Sequence, residues 1–335
     1  MESRKNKKLL IPPRFIIKNV VVSLSEVIDW GLRLVGIPDI WTVTQGENIK
    51  VCVLDTGVDY SHPDLKDAIE DVADFTGSLS GPFDINGHGT HCCGIIAARR
   101  NNAGMVGVAP QSRIYSGKVL GDSGIGEVEN IIKGIKWGLK KGADVFSLSL
   151  GTFEDDPELK AVIQDIFNDG KIIVAAAGNE SRSNFINFPA RYEECIAVGS
   201  INKLRLRSAN SNRSSDLDIV APGEDIYSTY LGKSYAVLSG TSMATPFVAG
   251  VCALILSKHR TSGGGTPINN NRDMLAHLAK TAIDLGRAGV DSDFGNGLIH
   301  IEKGVRSLAM DVLANVFYTD IFTTYEGMNY SSDKK

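Results

Sequence analysis

Four short stretches of the sequence carry a carboxylate, an imidazole, an amide and a hydroxyl at positions suited to acyl transfer. Asp55-Thr56-Gly57 ends an apolar run, so its carboxylate would emerge at the C-terminal end of a strand, where open α/β sheets bind ligands. An isolated DTG is as readily an Asp opening a turn. An aspartic-protease reading needs two facing carboxylates, and the sequence holds one copy. His88, in Asn86-Gly87-His88-Gly89-Thr90-His91, precedes a run of small residues able to form a closely packed helix. The positive potential at a helix N-terminus favours the neutral imidazole that a general base needs. His88 and His91 are also one turn apart, a spacing open to metal, but no third ligand stands at a familiar zinc distance. Ala175-Ala176-Ala177-Gly178-Asn179 closes another apolar run with an amide that could donate to an oxyanion or stabilise a turn. Ser242, in Gly240-Thr241-Ser242-Met243-Ala244-Thr245-Pro246, stands at a helix start, where free N–H groups attract negative charge. A capping serine would look the same.

Positioning these groups requires a scaffold that brings distant strand ends together. From Ile49 onward, short apolar runs alternate with amphipathic stretches, which predicts helices on both faces of a mainly parallel, doubly wound α/β sheet in a single domain. The strands are expected at Ile49–Leu54, Ile114–Val119, Val145–Leu150, Ile172–Ala176, Cys195–Val198 and Ile219–Ala221. Val128, Ile131, Ile132, Ile135 and Leu139 have helical spacing, with Gly142 able to cap the end. The following helix starts with Asp156 as cap and Pro157 at its first position, and closes near Gly170. Phe247–Leu256 reads as a buried helix, with Pro246 near its first turn.

A net charge of −4 offers no footprint for nucleic acid or an anionic membrane, and neither is expected as a partner. No segment reads as about 20 consecutive apolar residues, so a membrane span is not expected. Five cysteines, Cys52, Cys92, Cys93, Cys195 and Cys252, sit mostly among small or apolar neighbours. They read as buried thiols of a reducing compartment. Pro12, Pro13 and Arg14 interrupt the first apolar stretch before it reaches signal-peptide length, so a cytoplasmic chain is expected.

The four motifs occur together in the order Asp, His, Asn, Ser. LDTGVD, NGHGTHCCG, SLSLG, AAAGNE and SGTSMATP closely resemble the motifs of the subtilisin family, from about Trp41 to about Ile301. The order Asp, His, Ser is the one subtilisin itself uses. The resemblance implies a serine endopeptidase acting on proteins and peptides, with Asp55, His88 and Ser242 as triad, Asn179 in the oxyanion hole and His91 structural. It implies substrate pairing with Gly124, Ile125 and Gly126 on one side and Ser149, Leu150 and Gly151 on the other. Ser149–Gly151 and Ala176, Ala177 and Gly178 would wall the pocket for the residue before the cut, with Asn187 near its base and Glu180 at its rim. It also implies calcium at Asp64, Asn101 and the carbonyls of Arg99, Ala103 and Met105, completed by Glu26. A second, weaker cation site would use carbonyls of Ala190, Tyr192 and Cys195.

Within the family the chain is similar to the bacterial intracellular subtilisins, whose short N-terminal extension blocks the active site. Here the corresponding segment is Leu10, Ile11, Pro12 and Pro13, with Pro13 in place of an aromatic residue. The expected organisation is an inhibitory extension at 1–25, a catalytic domain at 26–307 and a tail of unassigned role at 308–335. Cleavage between about Lys18 and Ser25 would release activity. A homodimer follows from the resemblance alone. The alternatives are a dedicated processing protease and a non-catalytic regulator; the latter would be expected to have lost a triad member.

Overall fold

The apolar runs expected as strands are strands, with ends shifted by up to three residues. A computed structural model describes residues 9–10, 16–21, 25–262 and 268–301. The first elements are β1 (Leu9–Leu10), β2 (Ile16–Val21), α1 (Trp30–Val35), α2 (Ile37–Ile40), β3 (Lys50–Asp55), β4 (Ile69–Asp74) and α3 (His88–Ala97). Next come β5 (Arg113–Lys118), β6 (Gly126–Glu127), α4 (Val128–Lys140), β7 (Val145–Leu148), α5 (Pro157–Asn168) and β8 (Ile172–Ala176). The last are β9 (Ile196–Ile201), β10 (Ile219–Pro222), β11 (Ile226–Tyr230), β12 (Ser234–Ser239), α6 (Thr241–Ser262) and α7 (Asn271–Thr281).

Seven strands form one parallel sheet in the order β10-β9-β8-β7-β3-β5-β4. The chain starts near the middle at β3, goes to the edge at β4, returns to β5 and then builds outward from β7. The reversal of direction beside β3 leaves a crevice at the strand C-termini, and Asp55 is the last residue of β3. Strands β7, β8, β9 and β10 are buried along their whole length, which requires cover on both faces. Helices α3 and α6 pack together against the sheet, and α4 and α5 form the other pair.

Local signals explain the helix ends. Asp156 caps α5 by accepting from Glu158 and Leu159 N–H, with Pro157 in the first turn. Gly142, in the left-handed region at φ 70°, closes α4 by donating to the Leu139 carbonyl. The α6 helix starts at Thr241, six residues before the expected Phe247. Its segment Thr241–Thr261 is long and apolar enough to cross a membrane, contrary to expectation, but 94% of its most apolar 18-residue stretch is buried within the protein. It is the central core helix.

Two features were not expected. The edge strand β4 is half-exposed and acidic. A second sheet, β11-β12-β2, is antiparallel and pairs Ile16–Val21 with Ser239–Tyr235. Part of the expected extension is therefore a strand of that sheet, and Asn19–Val21 of the expected cleavage region are paired residues, with a register shift at Lys18. Strand β1 pairs antiparallel with β6, Leu9 opposite Glu127 and Leu10 opposite Gly126. Ile11, Pro12 and Pro13 lie outside the described residues, as does the expected tail at 308–335.

Candidate active site

The Asp55 carboxylate and the His88 imidazole meet because β3 and α3 approach closely. His88 Nδ1 lies 2.7 Å from Asp55 Oδ1, which also accepts the Thr56 N–H at 2.7 Å. With Nδ1 carrying the hydrogen, His88 donates to Asp55 and directs Nε2 away from it. Thr56 Oγ1 accepts the Gly89 N–H at 2.9 Å, and a Cβ on Gly89 would collide with the Gly57 carbonyl. Glycine after the histidine is thus a condition for the contact. Burial opposes a charged imidazole, but the Asp55 charge and hydrogen bond, aided by Asp84, outweigh it and raise His88 above the usual histidine range.

Asp84 is a site residue the motifs did not reveal. Fully buried, it accepts from Thr56 Oγ1, Asn86 N–H and Gly87 N–H with one oxygen, and from Thr90 N–H and Oγ1 with the other. It ties the Asp55 turn to the start of α3 and satisfies N–H groups that helix geometry leaves open. Burial raises its pKa, with these hydrogen bonds pulling the other way. A carboxylate four residues before His88 is the only sequence trace of this role.

His91 is structural. Its Nε2 lies 3.1 Å from the carbonyls of both Ile226 and Ala236, so it carries the hydrogen and cannot ligate metal. Burial lowers its pKa to about 3. Among the described residues, the one His, Cys or carboxylate cluster tight enough for a metal is Asp55, His88 and Cys92, where an ion would compete with the Asp55–His88 contact.

Ser242 stands in the first turn of α6, within reach of the same pocket. Cys92 Sγ is 4.0 Å from His88 Nδ1 and 3.5 Å from the Ser242 carbonyl, and burial pushes its thiol pKa well up. Pro246 lies inside the helix, contrary to the expected first-turn placement, and has no N–H for the Ser242 carbonyl four residues earlier. Ser149 Oγ supplies that bond at 2.8 Å. The Ser242 hydroxyl is buried and makes no hydrogen bond among the described residues, so its link to His88 is not formed here. Asn179 Oδ1 accepts the Thr241 N–H at 2.8 Å, leaving Nδ2 buried and without a partner beside Ser242. This bond fixes which way the amide faces.

A carboxylate bonded to a buried imidazole thus lies near a helix-start serine and an amide donor without a partner. Residues 46–297 match the Peptidase S8 subtilase family.

The chain belongs to that family.

It is 43% identical over 263 residues to the "Major intracellular serine protease" of Bacillus subtilis strain 168, covering 76% of this chain and 82% of the relative. It is 40% identical over 297 residues to the "Intracellular serine protease" of Paenibacillus polymyxa, covering 86% and 88%. The "Subtilisin" of Bacillus pumilus is 42% identical over 265 residues, covering 78% and 92%. The protein is a subtilisin-type serine endopeptidase.

In this subtilase the remaining expected residues fall into two regions. Gly124 and Gly126 are buried and flank the half-exposed Ile125, and Gly126 lies opposite Leu10 of β1. Ser149, Leu150 and Gly151 follow β7, while Ala176 ends β8 and Ala177 and Gly178 follow it. Asn187 lies between the two, since a Cβ on Gly151 or Gly178 would meet its side chain at 2.8 or 2.6 Å. Asn187 Nδ2 donates to Glu180 Oε2 at 3.3 Å, as does Asn212 Nδ2 at 2.7 Å. Lys118, wholly buried, was also missed. Its ammonium binds Asp122 Oδ1 at 2.7 Å, Ser80 Oγ at 3.0 Å and the Phe83 carbonyl at 3.1 Å, tying the 121–126 loop to the segment ahead of His88.

The expected calcium residues gather elsewhere. Asp64 is buried, and its oxygens accept from Asn101 Nδ2 at 2.8 Å, Met105 N–H at 3.0 Å and Tyr235 OH at 2.9 Å. Glu26 Oε2 accepts from Asn101 and Asn102 N–H, and Arg100 lies 3.8 Å from its other oxygen. Two carboxylates bracketing one loop make an oxygen-rich set that fits a hard cation. The Asn101 amide presents NH₂ to Asp64, so a cation there requires the amide turned over. Ala190, Tyr192 and Cys195 share one turn, closed by Cys195 N–H donating to the Tyr192 carbonyl.

Ser149→Ala should destabilise the protein by about 1–2 kcal/mol, because it leaves the Ser242 carbonyl only the weak Cys92 S–H as side-chain donor. Pro246→Ala restores an N–H donor, so the double variant should lose less than Ser149→Ala alone. Denaturant unfolding of both variants checks this.

Proposed function

We propose that Ser242 is the nucleophile, with His88 as its base and Asp55 as orienting group. The 2.7 Å contact of Asp55 with His88, beside the start of α6, carries this reading. Ser242 Oγ would attack the scissile carbonyl as its proton passes to His88 Nε2. The imidazolium then protonates the leaving amine, and water releases the acyl group by the same route reversed. Asp55 holds the tautomer and stabilises the imidazolium. Asn179 Nδ2 and the Ser242 N–H would receive the oxyanion, and neither must move far, because the Asn179 amide is already anchored to Thr241. Substrate would lie extended between Gly124–Gly126 and Ser149–Gly151, held through its main chain and hence with broad sequence tolerance.

The segment 1–25 acts in this proposal as an inhibitory extension that occupies the substrate edge. The antiparallel pairing of Leu10 with Gly126 supports it, since that is how an extended peptide would bind. Strand β2 anchors the segment from the other side, pairing Ile16–Val21 with β12. A setting inside the cell fits five buried free thiols and relatives named as intracellular proteases. Calcium, when bound, would be held by Asp64, Asn101, Glu26 and the carbonyls of Arg99, Ala103 and Met105, clamping the loop after α3 without entering the chemistry.

Four outcomes are expected. The free enzyme should gain kcat/KM with rising pH as His88 loses its proton, with a midpoint above the ordinary ~6.5. Asp55→Asn should move that midpoint down and reduce kcat by roughly 10⁴-fold, so an unshifted midpoint would remove His88 as the base. A chain starting at Ile16 keeps β2 but lacks β1, and should cleave peptides faster than the full chain; equal rates would rule out the extension as inhibitor. Chelation of calcium should lower the melting temperature by mass action, whereas an unchanged transition would show that Asp64 and Glu26 hold none.

A further inference from the structure

A cavity of about 280 Å³ opens beside Asn179, whose amide Nδ2 has no partner, and Asn187 does not line it. Its lining comprises Asn179, the Ser208–Ser211 turn, Glu224, Ser239 and Gly240. None of the residues assigned to the acyl side of the substrate, Gly124–Gly126, Ser149–Gly151 or Ala176–Gly178, contributes to it. Ser239 and Gly240 lie just before Ser242 in sequence, and Asn179 Nδ2 is the proposed oxyanion donor. On that reading, a chain leaving the scissile carbonyl on the side opposite the acyl pocket would pass into this space.

The lining has a chemical bias. Glu224 is its one ionisable side chain, half-buried, and has neither an ion pair nor a hydrogen bond among the described residues. The lining serines are engaged: Ser208 Oγ with Ser200 Oγ at 2.8 Å, Ser211 Oγ with the Ser200 N–H at 3.1 Å, and Ser239 Oγ with Asp225 at 2.8 and 3.2 Å, and the remaining polar side chains, Asn179 and Asn210, are neutral amides. A half-desolvated carboxylate left without a partner favours an incoming cation. The small side chains of Ala209, Gly240 and the serines leave room for an aliphatic stem, and lysine and arginine combine such a stem with a charged end.

We propose that this cavity is a leaving-side subsite at which Glu224 selects lysine or arginine in the first two residues after the scissile bond. The inference rests on Ser242 being the nucleophile, and it adds a preference to an otherwise tolerant protease. Glu224 acts here as a specificity determinant and takes no part in the bond-making steps.

The test uses the full-length protein, incubated until its activity is constant, with quenched peptides sharing one acyl half and carrying Arg, Ala or Glu in the first or second position past the cut. A p-nitroanilide of the same acyl half, with no residue past the cut, normalises each preparation. Arg should exceed Ala in kcat/KM by about two- to fivefold at low salt, the range of a partly solvated ion pair. Glu should fall below Ala, and the spread should narrow at high salt. In Glu224→Gln the Arg-to-Ala ratio should approach one. Equal use of Arg and Ala by the parent protein, or a preference that survives Glu224→Gln, would overturn the subsite. A protein inert toward the p-nitroanilide and unlabelled by a fluorophosphonate would instead overturn Ser242 as nucleophile, and the subsite with it.

Discussion

The site depends on two backbones lying closer than any side chain would permit. Gly89 sits against the Gly57 carbonyl with no room for a Cβ, and its N–H is held by Thr56 Oγ1. This approach brings the first turn of α3 over the end of β3, so a carboxylate and an imidazole 33 residues apart meet at 2.7 Å. Their distance is thus set by main chain and not by the rotamers of two long side chains. The Asp84 carboxylate locks the same junction from beneath, accepting from Thr56 on one segment and from Gly87 and Thr90 on the other. A buried carboxylate is expensive, and five donors offset the cost while stiffening the junction.

The start of α6 is built on a comparable exchange. Pro246 removes one intrahelical bond directly above Ser242, and the Ser149 hydroxyl replaces it from the end of β7. The helix start is thereby attached to the sheet at the strand proposed to receive substrate. Asn179, from the loop after β8, fixes Thr241 through its carbonyl oxygen and is left with one donor to spare. Three parallel strands, β3, β7 and β8, therefore deliver at adjacent C-termini the carboxylate, the support for the serine and the amide donor. The reversal of strand order beside β3 makes those ends neighbours.

Much of this was legible in the sequence because it is carried by strong local signals. Apolar runs of four to six residues, bounded by glycine and polar turns, have few alternatives to buried parallel strands, and Asp156-Pro157 and Gly142 state helix ends by conformation alone. Edge strand β4 was missed because its IEDVAD pattern is half-exposed and acidic, which reads as loop. The β11-β12-β2 sheet was missed because pairing between Ile16–Val21 and residues over 200 positions away leaves no local trace. The α6 start was set too late because proline was given its usual first-turn place, and only a side chain from another strand makes an interior proline tolerable here. Asp84 and Lys118 were invisible for the same reason: their partners converge only after folding.

Lys118 shows how such hidden residues bear on function. An ammonium with no exposure to water is stable only when its charge is answered, and Asp122, with two neutral acceptors, does so. Asp122 begins the loop that leads to Gly124–Gly126, while Ser80 and Phe83 precede Asp84 and His88. Asn86 also reaches the Asp122 carbonyl at 3.5 Å. The electrostatic need of one buried lysine thus couples the edge that would grip a substrate to the segment that carries the imidazole. A shift of that edge by a peptide would be opposed by the cost of exposing or stranding the lysine, which links the 121–126 loop energetically to the segment ahead of His88. In the proposed reading, specificity would come from what lines the groove, with Asn187 narrowing the acyl pocket and Glu224 facing the leaving side, and not from movement of the frame itself.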